Sequence, residues 1–275
     1  MFKNKFSRNL LWILLIYSST TLIVMFVSDY LIFPAPEPSY SKNDDRFFPI
    51  THKNTSIMAS YMPLTGAKYT ILFSHGNAQD LGRVQPILEQ FNKHGFSAFS
   101  YDYQGYGHST GSASEPNAKQ DIRTAYNYLT NVLNIKPEQI ILYGYSLGSG
   151  VTIDLAQEVQ VGGIIVEGAF TSTYRTKVPI KIFPVDRFDS YAIVSKIKQP
   201  ILYLHGEDDK VIPVSHSYDL YERTLSERDI LTFADHQHKS LPLKNSEKYW
   251  DKVKNWVQNV VNKQGEDNGN RGKTK

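Results

Sequence analysis

The stretch ILYGYSLGSG, residues 141–150, sets Gly-x-Ser-x-Gly directly after an apolar run and directly before an amphipathic one. A random chain of this length carries such a pentapeptide roughly once in ten, so its meaning depends on what surrounds it. Outward in both directions the chain alternates. Apolar, strand-like runs fall at 57–62, 70–74, 97–101, 140–145, 163–166, 201–205 and 230–233. Helical periods occupy 81–94, 118–133, 147–159, 214–225 and 247–261. This alternation predicts an α/β fold, a mostly parallel central sheet with helices on both faces. Ligands in such sheets bind at the carboxyl ends of the strands, and Ser146 sits at one of those ends.

A serine at so tight a strand-to-helix turn has a strained backbone and an exposed hydroxyl. Gly144 and Gly148 keep side chains from colliding with the neighbouring strand and helix. This is the nucleophile elbow. Serine at its free pKa is a poor nucleophile, so an orienting acid and then a histidine base are expected after later strands. ILYLHGEDDKVIP (201–213) offers Glu207, Asp208 and Asp209, and LTFADHQHKSLPL (231–243) offers His236 and His238. His216 lies in a helical period and reads as a helix-face residue. A developing oxyanion needs backbone N–H donors. One is expected from Leu147, at a helix N-terminus whose dipole favours negative charge. The other is expected from FSHGNAQDLG (73–82), with Asn77 first and Ala78 second. His75 in the same segment reads as packing beneath that loop.

With 275 residues, 41% of them hydrophobic, the chain suffices for one large domain with a substantial core. A formal charge of +3, with basic residues scattered through the body, indicates no nucleic-acid surface. The absence of cysteine excludes disulfides, Cys-ligated zinc and a cysteine nucleophile. No metal or organic cofactor is expected. Lys3, Lys5 and Arg8 precede a run, 10–33, that carries no charge until Asp29. About 20 apolar residues cross a bilayer core, so an uncleaved single-pass transmembrane anchor is expected. A cleaved signal peptide is the rival, but it would have a shorter apolar region and an Ala-x-Ala-like site. The basic flank would hold the N-terminus in the cytoplasm, with the catalytic domain on the other side of the membrane. The expected organisation is an anchor at 1–33, a stiff polar tether at 34–46, the catalytic domain at 47–261 and a disordered tail at 262–275.

FSHGNAQDLG, YDYQGYGHSTGSASE, GYSLGSG, VEGAFTS and HGEDDKVIPVSHSYDLYE follow in this order and together resemble the α/β-hydrolase superfamily. The resemblance covers most of the chain from about Ile32 to Trp256. It is nearest to membrane-anchored abhydrolase-domain serine hydrolases of the depalmitoylase and lysophospholipase-like kind. It implies Asp209 as the acid, since relatives carry aspartate three residues past the glycine and then a Val/Ile-Pro pair, here Val211, Ile212 and Pro213. It implies His238 as the base, since their Gly-x-Gly-His-Asn-Asp pattern laid over Phe233 onward puts the histidine there, with Gln237 replacing the preceding glycine. Gln104 stands where relatives carry arginine. Their inserted cap is short here (168–191), with Phe170, Ile180 and Phe183 as candidate walls of an open apolar cleft.

The implied activity is acyl transfer, the cleavage of esters or thioesters of acyl lipids or acylated proteins. Ser146, His238 and Asp209 would perform it, with the Leu147 and Asn77 amides as oxyanion donors. The bilayer and a lipid or acylated substrate are the expected partners, with the oligomeric state left open. A serine peptidase or haloperoxidase-like enzyme of the same fold and a catalytically silent binding module are the alternatives.

Overall fold

In a computed structural model, residues 5–178, 186–244 and 246–271 are described, without the side chains of Phe6, Met25, Phe26 and 261–271. Lys3, Ile180 and Phe183 therefore lie outside the described residues. The chain runs α1 (Lys5–Ile32), β1 (Phe47–His52), β2 (Thr55–Met62), β3 (Thr70–Ser74), α2 (Leu81–Lys93) and β4 (Ser97–Tyr101). It continues α3 (Glu115–Asn127), β5 (Ile140–Tyr145), α4 (Leu147–Ala156), β6 (Gly163–Glu167) and the single turn α5 (Ser190–Ile193). It closes with β7 (Ile201–Gly206), α6 (Ser215–Arg223), β8 (Arg228–Phe233) and α7 (Glu247–Arg271).

The eight strands form one sheet in the order β1-β2-β4-β3-β5-β6-β7-β8. From β4 to β8 every pairing is parallel, and β1 and β2 add antiparallel strands at one edge. Parallel strands covered on both faces need apolar residues on both sides. In β3, Ile71 and Phe73 face one core while Leu72 faces the other. Leu81, Val84 and Ile87 of α2 and Tyr249, Trp250 and Val253 of α7 fill the first core. Ile122 of α3, Val151 of α4 and Leu220 of α6 fill the second. This is the α/β-hydrolase fold, and it agrees with the alternation in the sequence.

Two features at the N-terminal side differ from the expectation. The strand β1 was not expected, because Pro49 interrupts its pattern. A proline is tolerated there because β1 is an edge strand with a free side. The expected tether is packed onto the domain. Ser39 donates from N–H and Oγ to Asp80, the residue that caps α2, at 2.6 and 2.5 Å. The Tyr40 hydroxyl donates to buried Asp102 at 2.6 Å. Buried carboxylates need such donors, and these two fix the segment in place.

The helix α1 has 28 residues, about 42 Å at 1.5 Å per residue. Its stretch Ser7–Val24 is long and apolar enough to cross a membrane and lies almost wholly outside the packed body. The Thr21 hydroxyl donates back to the Tyr17 carbonyl at 2.8 Å, which satisfies a polar group inside that stretch. Beyond it, Ser28, Ile32 and Phe33 are buried against the body of the fold. At the other end α7 continues past Val261 to Arg271, where a disordered tail from Asn262 was expected. Extending a formed helix orders one residue per added hydrogen bond, so a loss of apolar period need not end it. Residues 272–275 lie outside the described residues.

Candidate active site

Ser146 joins β5 to α4 with φ 53° and ψ −119°, a left-handed conformation that serine adopts only when its surroundings enforce it. Close packing enforces it here. A Cβ on Gly148 would lie 1.9 Å from the Ser74 carbonyl oxygen, and one on Gly144 would lie 2.5 Å from the Gly148 carbonyl. The Ser146 N–H donates to the Glu167 carbonyl at 2.9 Å, tying the turn to β6. The hydroxyl then points away from the sheet, at the carboxyl end of β5.

His238 Nε2 is 2.9 Å from Ser146 Oγ, and its Nδ1 is 2.6 Å from Asp209 Oδ2. Three residues distant in sequence thus form one hydrogen-bonded chain. The other oxygen of Asp209 accepts the Val211 and Ile212 amides, each at 2.8 Å. Burial alone would raise the Asp209 carboxyl. The His205 ring 3.4 Å away, with hydrogen bonds from His238 and the Ile212 amide, outweighs it and holds the carboxyl well below the usual carboxylate range. Asp209 is thereby kept ionised next to the imidazole.

The rival positions are engaged elsewhere. The Glu207 carboxylate accepts from the Thr232 hydroxyl at 2.6 Å, and Asp208 is exposed. His236 turns its Nε2 to the Lys239 carbonyl at 2.9 Å and its ring toward Phe233. His216 sits on α6 with Nδ1 2.9 Å from the Thr171 hydroxyl, and burial lowers its pKa. His75 is fully buried and packs on Tyr103, with ring centroids 4.5 Å apart.

Leu147 is the first residue of α4, so its N–H belongs to the helix-end donors that have no intrahelical partner. Asn77 lines the same cleft as Ser146, Leu147 and His238. Tyr106 donates to the Asn77 carbonyl at 2.8 Å, and the Asn77 side chain donates to the last carbonyl of α1, Ile32, at 3.3 Å. Ala78 beside it is exposed. In the loop between β4 and α3, Gln104 gives both its backbone and side-chain N–H to Asp121, at 2.8 Å each. Burial lifts Asp121 to about 7 against those two bonds.

Two supporting residues escaped the sequence reading. His205 at the end of β7 is fully buried, with Nδ1 2.6 Å from Ser217 Oγ and Nε2 2.9 Å from the Ile212 carbonyl and 3.4 Å from Asp209. Glu167 at the end of β6 accepts the Tyr143 hydroxyl at 2.5 Å and the Leu241 amide at 2.6 Å. Glu167 thereby braces the loop that carries His238. Their signal was the polar residue ending each of two otherwise apolar strands.

A cleft of about 770 Å³ opens over Ser146 and His238. Phe170, Ile212 and Val178 line it from the domain, and Val24, Val27 and Leu31 line it from α1. Phe170 serves both this wall and the core.

Comparison with known proteins gives the family and agrees with the fold. Residues 65–183 match the family model described as serine aminopeptidase, S33. The alpha/beta hydrolase domain-containing protein 17C of Xenopus tropicalis is 40% identical over 161 residues, which are 58% of this chain and 52% of that protein. The human alpha/beta hydrolase domain-containing protein 17B is 35% identical over 221 residues, covering 78% of this chain and 76% of its own. The chain thus spans about half the length of the first relative and three quarters of the second. Among solved structures, an esterase of Pyrococcus furiosus superposes with a TM-score of 0.68 at 17% identity, covering 83% of this chain and 99% of that one.

Proposed function

The chain belongs to the α/β-hydrolase superfamily, among proteins of the alpha/beta hydrolase domain-containing 17 type, and from that premise we propose that it is a membrane-anchored serine hydrolase. Its substrates are carboxylic esters or thioesters of acyl lipids or acylated proteins. The observation that carries this reading is the hydrogen-bonded chain Ser146–His238–Asp209, which opens into an apolar cleft.

Ser146 Oγ attacks the acyl carbonyl while His238 Nε2 takes its proton. Asp209 fixes the imidazole tautomer and stabilises the imidazolium that forms. The Leu147 and Asn77 amides receive the negative oxygen. His238 returns the proton to the leaving alcohol or thiol, and water activated by the same histidine releases the acid. The basic residues Lys5 and Arg8 before the apolar stretch of α1 favour an N-terminus in the cytoplasm and a catalytic domain across the membrane.

The matching family model bears the name of an aminopeptidase, an enzyme class that must hold a free ammonium group. The described lining of the cleft contains no carboxylate for that purpose, and its one charged residue is Lys177. This favours an acyl substrate over a peptide. The test uses the full chain in phosphatidylcholine vesicles against a p-nitrophenyl ester series, an S-palmitoyl peptide and aminoacyl p-nitroanilides. Turnover of esters or thioesters that Ser146→Ala abolishes is the expected result. Turnover of the anilides alone would move the protein to the peptidases, and an inert, unlabelled protein would make it a binding module.

A further inference from the structure

The helix that the sequence marks as an anchor contributes a surface to the active-site cleft. The α1 residues at the cleft are Ile23, Val24, Val27, Ser28, Leu31 and Ile32. Their spacing of three or four with adjacent pairs makes them one continuous helix face. From Ile23 to Ile32 that face is about 14 Å long at 1.5 Å per residue. It is held in register with the catalytic residues. Ile32 and Phe33 are buried in the domain, the Ile32 carbonyl accepts from Asn77, and Arg187 donates to Ser28 Oγ at 3.0 Å.

We propose that α1 is one wall of the acyl-binding site: a single long acyl chain lies along Val24, Val27 and Leu31, with its carbonyl at Ser146 and its far end toward Ile23. The inference rests on the reading of Ser146 as nucleophile and adds what the site holds. Val178, Val211 and Ile212 of the domain also line the groove, beside Thr173, Tyr174, Thr176 and Lys177, and its lining is mostly apolar. An extended peptide would bring backbone N–H and C=O groups that the apolar stretch along Val24, Val27, Leu31, Val178, Val211 and Ile212 cannot partner, at a cost an acyl chain does not incur. The groove leads from the catalytic residues to the exposed apolar part of α1, where Ile13 and Ile16 are each 63% exposed. A chain withdrawn from a bilayer along α1 thus has an apolar helix face to follow from Ile23 toward Ser146. The anchor selects substrate as well as holding the enzyme near it.

The experiment fills the groove from the helix side in the full-length protein in vesicles. It measures kcat/KM for p-nitrophenyl myristate relative to p-nitrophenyl butyrate. Val24→Trp and the half-exposed Val27→Trp should each lower that ratio at least tenfold, because several methylenes lose their burial and each is worth roughly three- to fourfold. Ile16→Trp, on the same helix but outside the groove, should leave it within twofold. A ratio in both groove variants that stays as close to wild type as in Ile16→Trp would overturn the proposal while leaving the hydrolase reading intact. A second arm does not need the chemistry: Ser146→Ala protein binding a fluorescent stearate. Adding Val24→Trp should weaken that binding at least tenfold, and unchanged binding would overturn the groove. Absence of turnover and of fluorophosphonate labelling in the wild type would instead sink the hydrolase reading, and the stearate arm would still decide the groove. An S-palmitoyl peptide and a vesicle-borne monoacylglycerol, run in parallel, distinguish the two sources of the acyl chain.

Discussion

Glu167 lies beneath the elbow with both carboxyl oxygens engaged, and this makes it sensitive to pH. Burial raises its pKa to about 8, the Tyr143 hydroxyl and Leu241 amide oppose the rise, and the charge of Asp209 adds to it. The unfolded value is about 4.3, so between these two values the folded chain holds a proton that the unfolded chain has lost. Its stabilising contribution is full below the unfolded pKa and is lost as pH rises through about 8. Glu167→Gln keeps an acceptor for Leu241 and cannot ionise. Its Tm should be at or below that of wild type near pH 5 and above it at pH 9. A Tm difference constant across that range would contradict the assignment. For the catalytic pairs, His238→Ala and Asp209→Asn should each lower kcat/KM by about 10³–10⁴. His236→Ala and Asp208→Asn should stay within about tenfold, and the opposite result would move the base or the acid. Both pairs were visible in the sequence as pairs. Choosing between neighbours depends on how two loops approach each other in space, for which Gln237, in place of a glycine, left a weaker mark. His205 and Glu167 left only a polar residue at the end of an apolar strand as their mark, because their partners, Ser217 and Ile212 for one and Tyr143 and Leu241 for the other, are met only in the folded chain.

At the scale of elements, the β5–α4 turn was legible because its constraint is local: two glycines, a serine and a change of hydrophobic period. The same packing makes it brittle. Gly148→Ala places a Cβ against the Ser74 carbonyl and should cost about 3 kcal/mol or more, measured as a lower denaturant midpoint at unchanged m-value. A loss under about 1 kcal/mol would mean that α4 can shift away from β3. The strand β1 and the segment before it were hidden for the opposite reason. The segment is held by partners far along the chain, Asp80 and Asp102, which no local pattern announces, and β1 by its pairing with β2 despite Pro49. Tyr40→Phe removes a hydroxyl from buried Asp102 and should cost about 1–3 kcal/mol. A neutral result would mean that water reaches that carboxylate.

Across the whole molecule, α1 has two portions with different solvents. Ser7–Val24 stands outside the domain, whereas Ile32 and Phe33 belong to its core, Phe33 lying 6.2–6.5 Å from the rings of Tyr103, Tyr106 and Phe188. Sequence hydropathy joined these portions into one apolar run, because an apolar residue reads the same whether lipid or protein covers it. Deleting residues 1–24 should release the protein from carbonate-washed membranes with its fold intact. Deleting residues 1–38 removes two buried side chains worth about 1.5–3 kcal/mol each and should lower Tm by roughly 6–24 °C more. Equal Tm values for the two truncations would mean that Ile32 and Phe33 do not pack as described. The central claim, that this fold carries a working serine nucleophile, is tested most directly by reacting the full-length protein with a fluorophosphonate and mapping the adduct by peptide mass spectrometry. The account predicts one modified residue, Ser146, and no modification in Ser146→Ala; an adduct on another residue, or undiminished labelling of Ser146→Ala, would contradict it.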